Sequence, residues 1–490
     1  MIAGATSVYP LVRMRADATP DALALSQGDE RLDFRSLVAR VDRVAAGLAA
    51  RGVARGARVA ILSENSIAYS VAQLACAKLG AIAACQNWRL ADPELVHCIG
   101  LVAPLLLLAS DRHRAQAERV AGGVQVAALG GIEADGETPC AAEPEDGLLI
   151  IYTSGTTGLP KAAVISHRAE IARMCALRLD LGLSGEDGYV AWAPMFHMGG
   201  TEHLLATLMS GGHAIVVDGF DAAAIADALA AYRIGWLLLV PATIEPLLAE
   251  IAERALVPVG VKAVGCMADL VPAATIAAIT AALDAPYLDT FGATETGMPP
   301  LSAGLVPVGA APDRFPKRLS VLTELRLVAG GEDVAAGDVG EAWVRGPTLF
   351  SGYWRDGGIG GDCFVDGWFP MGDLFRRDAD GYMFVGRSKY LIKSGGENIY
   401  PAEIERVLLA DPRVADAIVV RKADDRWGEI PVAVIARCDD ALDANAVDAL
   451  CRAQLAGYKR PREIRFVALD DFPRSASGKI IREAVEAMIG

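Results

Sequence analysis

Several absences narrow the field first. The nine cysteines are an odd number with no Cys-x-x-Cys pair, and several sit in apolar surroundings such as Ala75-Cys76-Ala77 and Ala84-Cys85. This excludes a disulfide framework and a cysteine-based zinc site. A surplus of positive charge is absent too: the net charge of −15 argues against general binding to nucleic acid. No apolar run is long; Leu105–Ala109, the longest near the front, falls far short of a membrane span. The N-terminal stretch shows no compact apolar segment followed by a cleavage site, so a cytoplasmic protein without a membrane span is expected. His97 and His113 have no partner at metal-ligand spacing, and apart from a general richness in alanine there are no repeats or low-complexity segments.

What remains is a large globular chain. Its 490 residues, 53% of them hydrophobic, suffice for about three domains with sizeable cores. Residues 33–48 and 68–79 carry apolar positions at helical spacing, and 58–62 reads as a short strand. From Asp221 onward the helices 222–232, 243–254 and 272–283 alternate with the strands 236–240, 261–264 and 287–291. That rhythm predicts an α/β fold with a doubly wound sheet, whose ligand sits at the carboxyl ends of the strands. Between about 312 and 386, short strands punctuated by glycine predict a small β subdomain. From 387 a compact α+β unit follows. The segment from Arg387 to Gly490 is electrically neutral, so the whole −15 lies in residues 1–386. The expected organisation is a large N-terminal domain, 1–386, and a relatively basic C-terminal domain, 387–490, suited to close over anionic ligands.

The chemistry concentrates in Thr153-Ser-Gly-Thr-Thr-Gly-Leu-Pro-Lys161, which follows the apolar strand 148–151. Gly155 and Gly158 let backbone amides approach an anion, Ser154, Thr156 and Thr157 add hydroxyl donors, and Lys161 adds a full charge. At ordinary residue frequencies its eight specified positions arise by chance about once in 10⁹–10¹⁰ starting points. The spacing is not that of a Walker loop.

This loop resembles the phosphate loop of the adenylate-forming, or AMP-binding, superfamily, and further motifs follow in that family's order. Gly292-Ala-Thr294-Glu295 resembles its aromatic-Gly-x-Thr-Glu segment. The resemblance implies that Glu295, with Thr153, holds Mg²⁺ beside the ATP phosphates, a hard cation wanting oxygen ligands, and that Phe291 stacks on adenine where tyrosine is usual. Met371-Gly-Asp373 is similar to a Thr-Gly-Asp triplet, so Asp373 and Arg387 are expected to reach the ribose, while Met371 lacks the usual hydroxyl. Lys389 stands at the family's hinge, with Tyr390 where an aspartate often follows. Ser394-Gly395-Gly396 and the residues to Glu405 resemble the segment lining the pantetheine tunnel. Pro473 to Lys479 resembles the loop with the adenylation lysine. Phe196-His197 points to the acyl-CoA and aryl-CoA synthetase branch, since amino-acid-activating relatives place an aspartate there.

The resemblance implies two reactions in one site: a carboxylate attacks the α-phosphate of ATP, and CoA thiolate then displaces AMP from the acyl-adenylate. Thr153, Lys161, His197, Glu295 and Lys479 are the implied catalytic groups, and the C-terminal domain is expected to swing about Lys389 between the steps. By position, the acid's pocket is lined by His197, Met198, Gly199, Glu202 and His203, by Gly265, Cys266 and Met267, and by Gly292 and Ala293. Cys266 and Met267 replace smaller residues of many relatives and should shorten the cavity. An aryl, cyclic or short-to-medium acid is therefore expected. Glu202 and His203 are placed either to meet a polar group at its far end, to cap a helix or to face solvent. Transfer to a carrier-protein thiol and a non-catalytic relative that keeps the fold are the alternatives. The implied partners are a small carboxylic acid, ATP, Mg²⁺ and CoA, with a homodimer as the possible assembly.

Overall fold

The computed structural model describes residues 6–153, 159–394, 397–439, 441–474 and 479–490. Contacts sort them into two compact units: 1–268 with 273–324 and 344–369, and 269–272 with 325–343 and 370–490.

In the first unit two large sheets form. One has eight strands, in the order Gly358–Gly360, Gly352–Arg355, Lys161–Ser166, Gly147–Thr153, Ile82–Cys85, Arg58–Leu62, Leu106–Ala109 and Gln125–Ala128. From Gly147–Thr153 to Gln125–Ala128 every neighbour is parallel. The central strands Arg58–Leu62, Ile82–Cys85 and Leu106–Ala109 are rich in Val, Ile, Leu and Ala and almost wholly buried, as strands covered on both faces must be. The second layer has the order Glu30–Asp33, Leu23–Gln27, Ala214–Val216, Tyr189–Ala191. A parallel bridge from Gly188 to Ile234 continues it into Ile234–Leu237, Val261–Val264, Tyr287–Asp289 and Gly304–Val306.

The helix Ile67–Leu79 touches strands of both sheets and is buried on every side. Ser66 caps its start by accepting from Tyr69 N at 3.1 Å, and Gly80, at φ +66°, ends it in the left-handed region. The doubly wound reading is thus borne out, and the strands 58–62 and 261–264 have the predicted limits.

Within the second unit, a five-stranded sheet runs Glu332–Asp333, Glu324–Ala329, Val339–Arg345, Phe369–Asp378, Gly381–Arg387. The C-terminal sheet is built on the long hairpin Val414–Asp424 and Gly428–Arg437. Its alternating side chains feed two cores: Ala417 and Val419 face the helices Pro401–Leu409 and Ala444–Gln454, whereas Ile418 and Val420 face Phe472, Val485 and Ile489. Grouping by contacts therefore places 325–343 and 370–386 with the C-terminal segment, and 344–369 with the large unit. A hinge is a statement about motion, and Lys389 is retained as its proposed pivot.

Three histidines inside the first unit make stability acid-sensitive. Burial pushes His167 and His213 down to about 4 and His203 down to about 3, each from an ordinary 6.5. The folded chain keeps them neutral while the unfolded chain protonates them, so their contribution is complete above pH 6.5 and is lost as pH falls toward 4. Denaturant titrations at pH 7.5, 6 and 5 should show stability declining by about 1 kcal/mol per histidine per pH unit below 6.5. An unchanged midpoint from pH 7.5 to 5 would contradict this.

Candidate functional site

The phosphate loop joins two adjacent antiparallel strands, and Thr153 stands directly opposite Lys161 in their register. A hairpin of buried strands sets the two ends of the loop side by side. His97 Nε2 donates to Pro160 O at 3.1 Å, which anchors the returning side of the loop. The predicted phosphate ligands Ser154, Gly155, Thr156, Thr157 and Gly158 lie outside the described residues.

Across from this hairpin, Gly292–Ala293 pairs with Gly297–Pro300 and closes a tight turn around Thr294 and Glu295. Thr296 Oγ1 accepts from Ala293 N at 2.9 Å and holds the turn. A Cβ at Gly292 would lie 2.0 Å from Gly297 O, so only glycine admits this approach. Thr294 and Phe291 are buried; Phe291 is 5% exposed, and its backbone N donates to Ser302 Oγ.

Tyr353 brings the two motifs together. Its hydroxyl donates to Glu295 Oε1 at 2.7 Å, and the Lys161 ammonium lies 5.1 Å from the centroid of its ring. Burial, then the charge of Glu295, pushes the Tyr353 hydroxyl far up, so it stays a donor. Phe350 N donates to Glu295 O at 2.8 Å, adding a backbone tie. Among the described residues no group of three or more His, Cys, Asp and Glu side chains is arranged to hold a metal ion. Mg²⁺ commonly takes one or two carboxylates and completes its shell with water and phosphate oxygens. Glu295, with one oxygen held by Tyr353, fits that part.

The expected acid pocket gathers at the start of the helix Met198–Ser210 and at the ends of Ile234–Leu237 and Val261–Val264. The stretch 191–200 reads in the sequence as a strand running into a glycine-rich turn; the strand is Tyr189–Ala191, and the glycines lie instead in the first turn of a helix. His197 is its exposed N-cap, with Nδ1 accepting from Gly199 N at 3.3 Å. Gly200 is required by crowding, since a Cβ there would sit 2.3 Å from Pro194 O.

On the facing wall Gly265, at φ +94°, lies under the Tyr287 ring, where a Cβ would come within 2.2 Å. Tyr287 OH donates to Cys266 O at 2.7 Å, Trp236 Nε1 donates to Gly265 O at 2.8 Å, and Met267 adopts a left-handed φ of +40°. Cys266 and Met267 are partly exposed, as is Ala293. Glu202 and His203, by contrast, are both buried. Glu202 is held by Arg173, and His203 sits edge-on to Trp236 at 4.5 Å and tilted against Tyr189 at 5.7 Å. Neither faces solvent nor caps the helix. The low pKa of His203, set by burial and then by the charge of Arg173, keeps it neutral.

Within the second unit, Asp373 and Arg387 are register partners on neighbouring strands, with Arg387 Nε 2.9 Å from Asp373 Oδ1. Asp373 is 1% exposed. Lys389 and Tyr390 both bind Glu483 at the start of the helix Arg482–Ile489, Tyr390 OH donating to it at 2.9 Å. The Arg482 guanidinium lies 4.9 Å from the Tyr390 ring centroid. Tyrosine at 390 thus fastens the proposed hinge to the last helix. Gly395 and Gly396 lie outside the described residues, and Lys479 follows a loop whose stem is closed by the Arg474–Ile480 bridge. Sequence reasoning missed Tyr353 and Arg173; the Gly-Tyr pair at 352–353, in a segment between named motifs, was the sole local signal for the first.

The model of the AMP-binding enzyme family matches residues 12–354, and that of the AMP-binding enzyme C-terminal domain matches 403–479. The chain is 34% identical to an indoleacetate–CoA ligase of Aromatoleum aromaticum, covering 97% of this chain and 96% of that protein. It is 33% identical to a feruloyl-CoA synthase of Amycolatopsis, with 97% and 98% covered. Among solved structures, O-succinylbenzoate coenzyme A synthetase from Bacillus subtilis, in complex with ATP and magnesium ion, superposes with a TM-score of 0.85 at 27% identity. The superposition covers 96% of this chain and 98% of that one.

Proposed function

The chain belongs to the AMP-binding enzyme family, and on that premise we propose that it is an AMP-forming ligase joining an aryl carboxylic acid with an uncharged far end to CoA. The observation that carries the reading is Tyr353, which stands between Lys161 of the phosphate hairpin and Glu295 of the Thr-Glu turn. The cation of the hairpin and the carboxylate of the turn thus stand at one tyrosine, the pairing that a triphosphate and its Mg²⁺ require.

Mg²⁺, when bound, supplies charge neutralisation on the phosphates. The residues do the rest. Lys161 faces the phosphates from the end of the hairpin. Glu295, oriented by Tyr353, offers an oxygen to the metal, with Thr153 beside the hairpin. Phe291 and Gly292 serve the adenine side, Asp373 and Arg387 the ribose, and Lys479 the α-phosphate. In the first step a carboxylate oxygen of the acid attacks the α-phosphorus and pyrophosphate leaves. In the second, CoA thiolate attacks the acyl carbon and AMP leaves, with Gly395 and Gly396 beside the incoming pantetheine and Lys389 as pivot.

The charge state of the pocket wall supports a neutral acyl tail. His203 is uncharged between two aromatic rings, and Arg173 already donates to Thr294 O, Thr348 O and Glu202. A second carboxylate on the substrate would find neither of them available. The relatives named for indoleacetate and ferulate carry acids of the kind proposed. We place the enzyme in the cytoplasm, and no helix among the described residues is long and apolar enough to cross a membrane.

ATP–pyrophosphate exchange over a panel of arylacetic, cinnamic, dicarboxylic and long-chain acids, repeated with CoA, tests the reading. Exchange and thioester formation are expected with the uncharged aryl acids. Exchange confined to the dicarboxylic acids would overturn the substrate class, and absence of exchange with every acid would overturn the activity.

A further inference from the structure

The helix His167–Leu181 carries two charged side chains into the core of the first unit: Glu170, fully buried, and Arg173, 4% exposed. Arg173 spends its guanidinium on three partners. Nε donates to Thr348 O at 2.8 Å, Nη2 donates to Thr294 O at 3.1 Å, and Nη1 donates to Glu202 Oε1. Thr294 immediately precedes Glu295. Thr348 begins the run that reaches Phe350, whose N–H binds Glu295 O. Glu202 lies in the second turn of the helix that His197 caps. One guanidinium therefore grips the backbone just before Glu295, the segment whose Phe350 N–H binds Glu295 O, and the helix that starts at His197.

The surroundings are shaped for it. Gly297 has a φ of +73°, and a Cβ there would fall 2.5 Å from Arg173 Cδ. Among the described residues both carboxylate oxygens of Glu170 lack a hydrogen-bond partner. Burial, and then the charge of Glu202, pushes the Glu170 carboxyl well up. Burial raises the Glu202 carboxyl as well, against the pull of Arg173, so the Arg173–Glu202 pair lies beside a second carboxyl whose charged form burial disfavours. Such a pair is a poor device for stability, because its desolvation offsets its attraction and apolar residues of equal volume commonly do as well. It does hold a particular geometry through directed, charge-assisted bonds.

We propose that Arg173, through Glu202, is a positioning residue that holds the Glu295 turn in register with the His197 helix, so that nucleotide and acid meet at the right separation. The proposal rests on the functional reading above, in which Glu295 faces Mg²⁺-ATP and His197 faces the acid. A displacement of about 1 Å between two reactants costs on the order of a hundredfold in rate. A tie of this kind acts through that displacement, and Arg173 itself touches neither substrate.

The test uses the full chain as Arg173→Lys, Arg173→Met and the double variant Arg173→Met/Glu202→Met, in which neither member of the pair is left as an unpaired charge. Thermal unfolding, calorimetric binding of Mg²⁺-ATP without acid, and the KM values for ATP and acid in exchange are measured for each. The double variant is expected to unfold close to the parent. Its binding of Mg²⁺-ATP should nevertheless weaken, and its kcat/KM for adenylation should fall by about tenfold or more. Arg173→Lys, which keeps the charge and loses the fork to the two carbonyls, should fall between the parent and Arg173→Met. A double variant that binds Mg²⁺-ATP and turns over like the parent would overturn the proposal. So would an Arg173→Lys chain that loses melting temperature while keeping every KM, since that is the signature of packing alone. If the double variant does not fold, the lysine variant decides. A parent chain that shows no exchange with any acid fails the functional reading itself, a result distinct from either.

Discussion

Lys479→Ala is expected to lose adenylate formation by at least ~10²-fold while keeping thioester formation from supplied acyl-adenylate and CoA. The asymmetry follows from where charge develops. In the first step the α-phosphorus passes through a five-coordinate arrangement with more negative charge on its oxygens than ATP carries in the ground state. A lysine aimed there acts chiefly in the transition state. In the second step the acyl carbon is attacked and AMP departs, and the proposed motion about Lys389 has by then withdrawn Lys479. The local structure suits a presented side chain: the backbone bridge between Arg474 and Ile480 pins the stem of the loop, and Arg474 is itself held by Asp416 at 2.6 Å. The substitution should leave the fold of the C-terminal unit intact, because its two apolar cores do not include residue 479. Exchange measures the first step and thioester release from synthetic acyl-adenylate the second. Equal loss of both would remove Lys479 from its assigned part.

The elements that the sequence disclosed are those whose signals are local. Pro401 at the first helical position and Glu403 in the first turn announce the helix Pro401–Leu409. The buried strand Val261–Val264 was equally plain. The helix Met198–Ser210 was concealed by Gly199-Gly200, which reads as a turn. Gly200 is there because the first turn of the helix is pressed against the carbonyls of Ala193 and Pro194, a contact with no trace in hydropathy.

For the candidate site the division is similar. Asp373 and Arg387 were found by motif, and their pairing across two strands adds geometry to it. Glu202 was visible as a polar residue in the right stretch. That its partner is Arg173, 29 residues earlier, depends on the packing of two helices and has no period to betray it. Tyr353 lies 58 residues from Glu295 on a strand that pairs with Lys161–Ser166, and only the sheet order brings it to the site.

That placement sets up the second large effect. Glu295→Gln should reduce adenylation by about 10²–10³-fold, since a neutral amide offers the metal a weaker oxygen than a carboxylate does. Tyr353→Phe should have the same kind of effect on a smaller scale. Its hydroxyl binds one carboxylate oxygen of Glu295, and a hydrogen bond to a charged group is worth about 1.5–3 kcal/mol, which corresponds to roughly ten- to hundredfold. The phenylalanine retains the ring beneath the Lys161 ammonium, so the two contacts of Tyr353 are separable: the hydroxyl is lost and the cation–π contact stays. The expected signature of Tyr353→Phe is a raised Mg²⁺ requirement in exchange, together with weaker binding of Mn²⁺-ATP observed by electron paramagnetic resonance. In the Glu295→Gln background the further change Tyr353→Phe should cost little more, because the group it orients has already lost its charge. Additive losses in the double variant, or a Tyr353→Phe chain with an unaltered Mg²⁺ dependence, would show that Tyr353 only packs the site and does not aim its carboxylate.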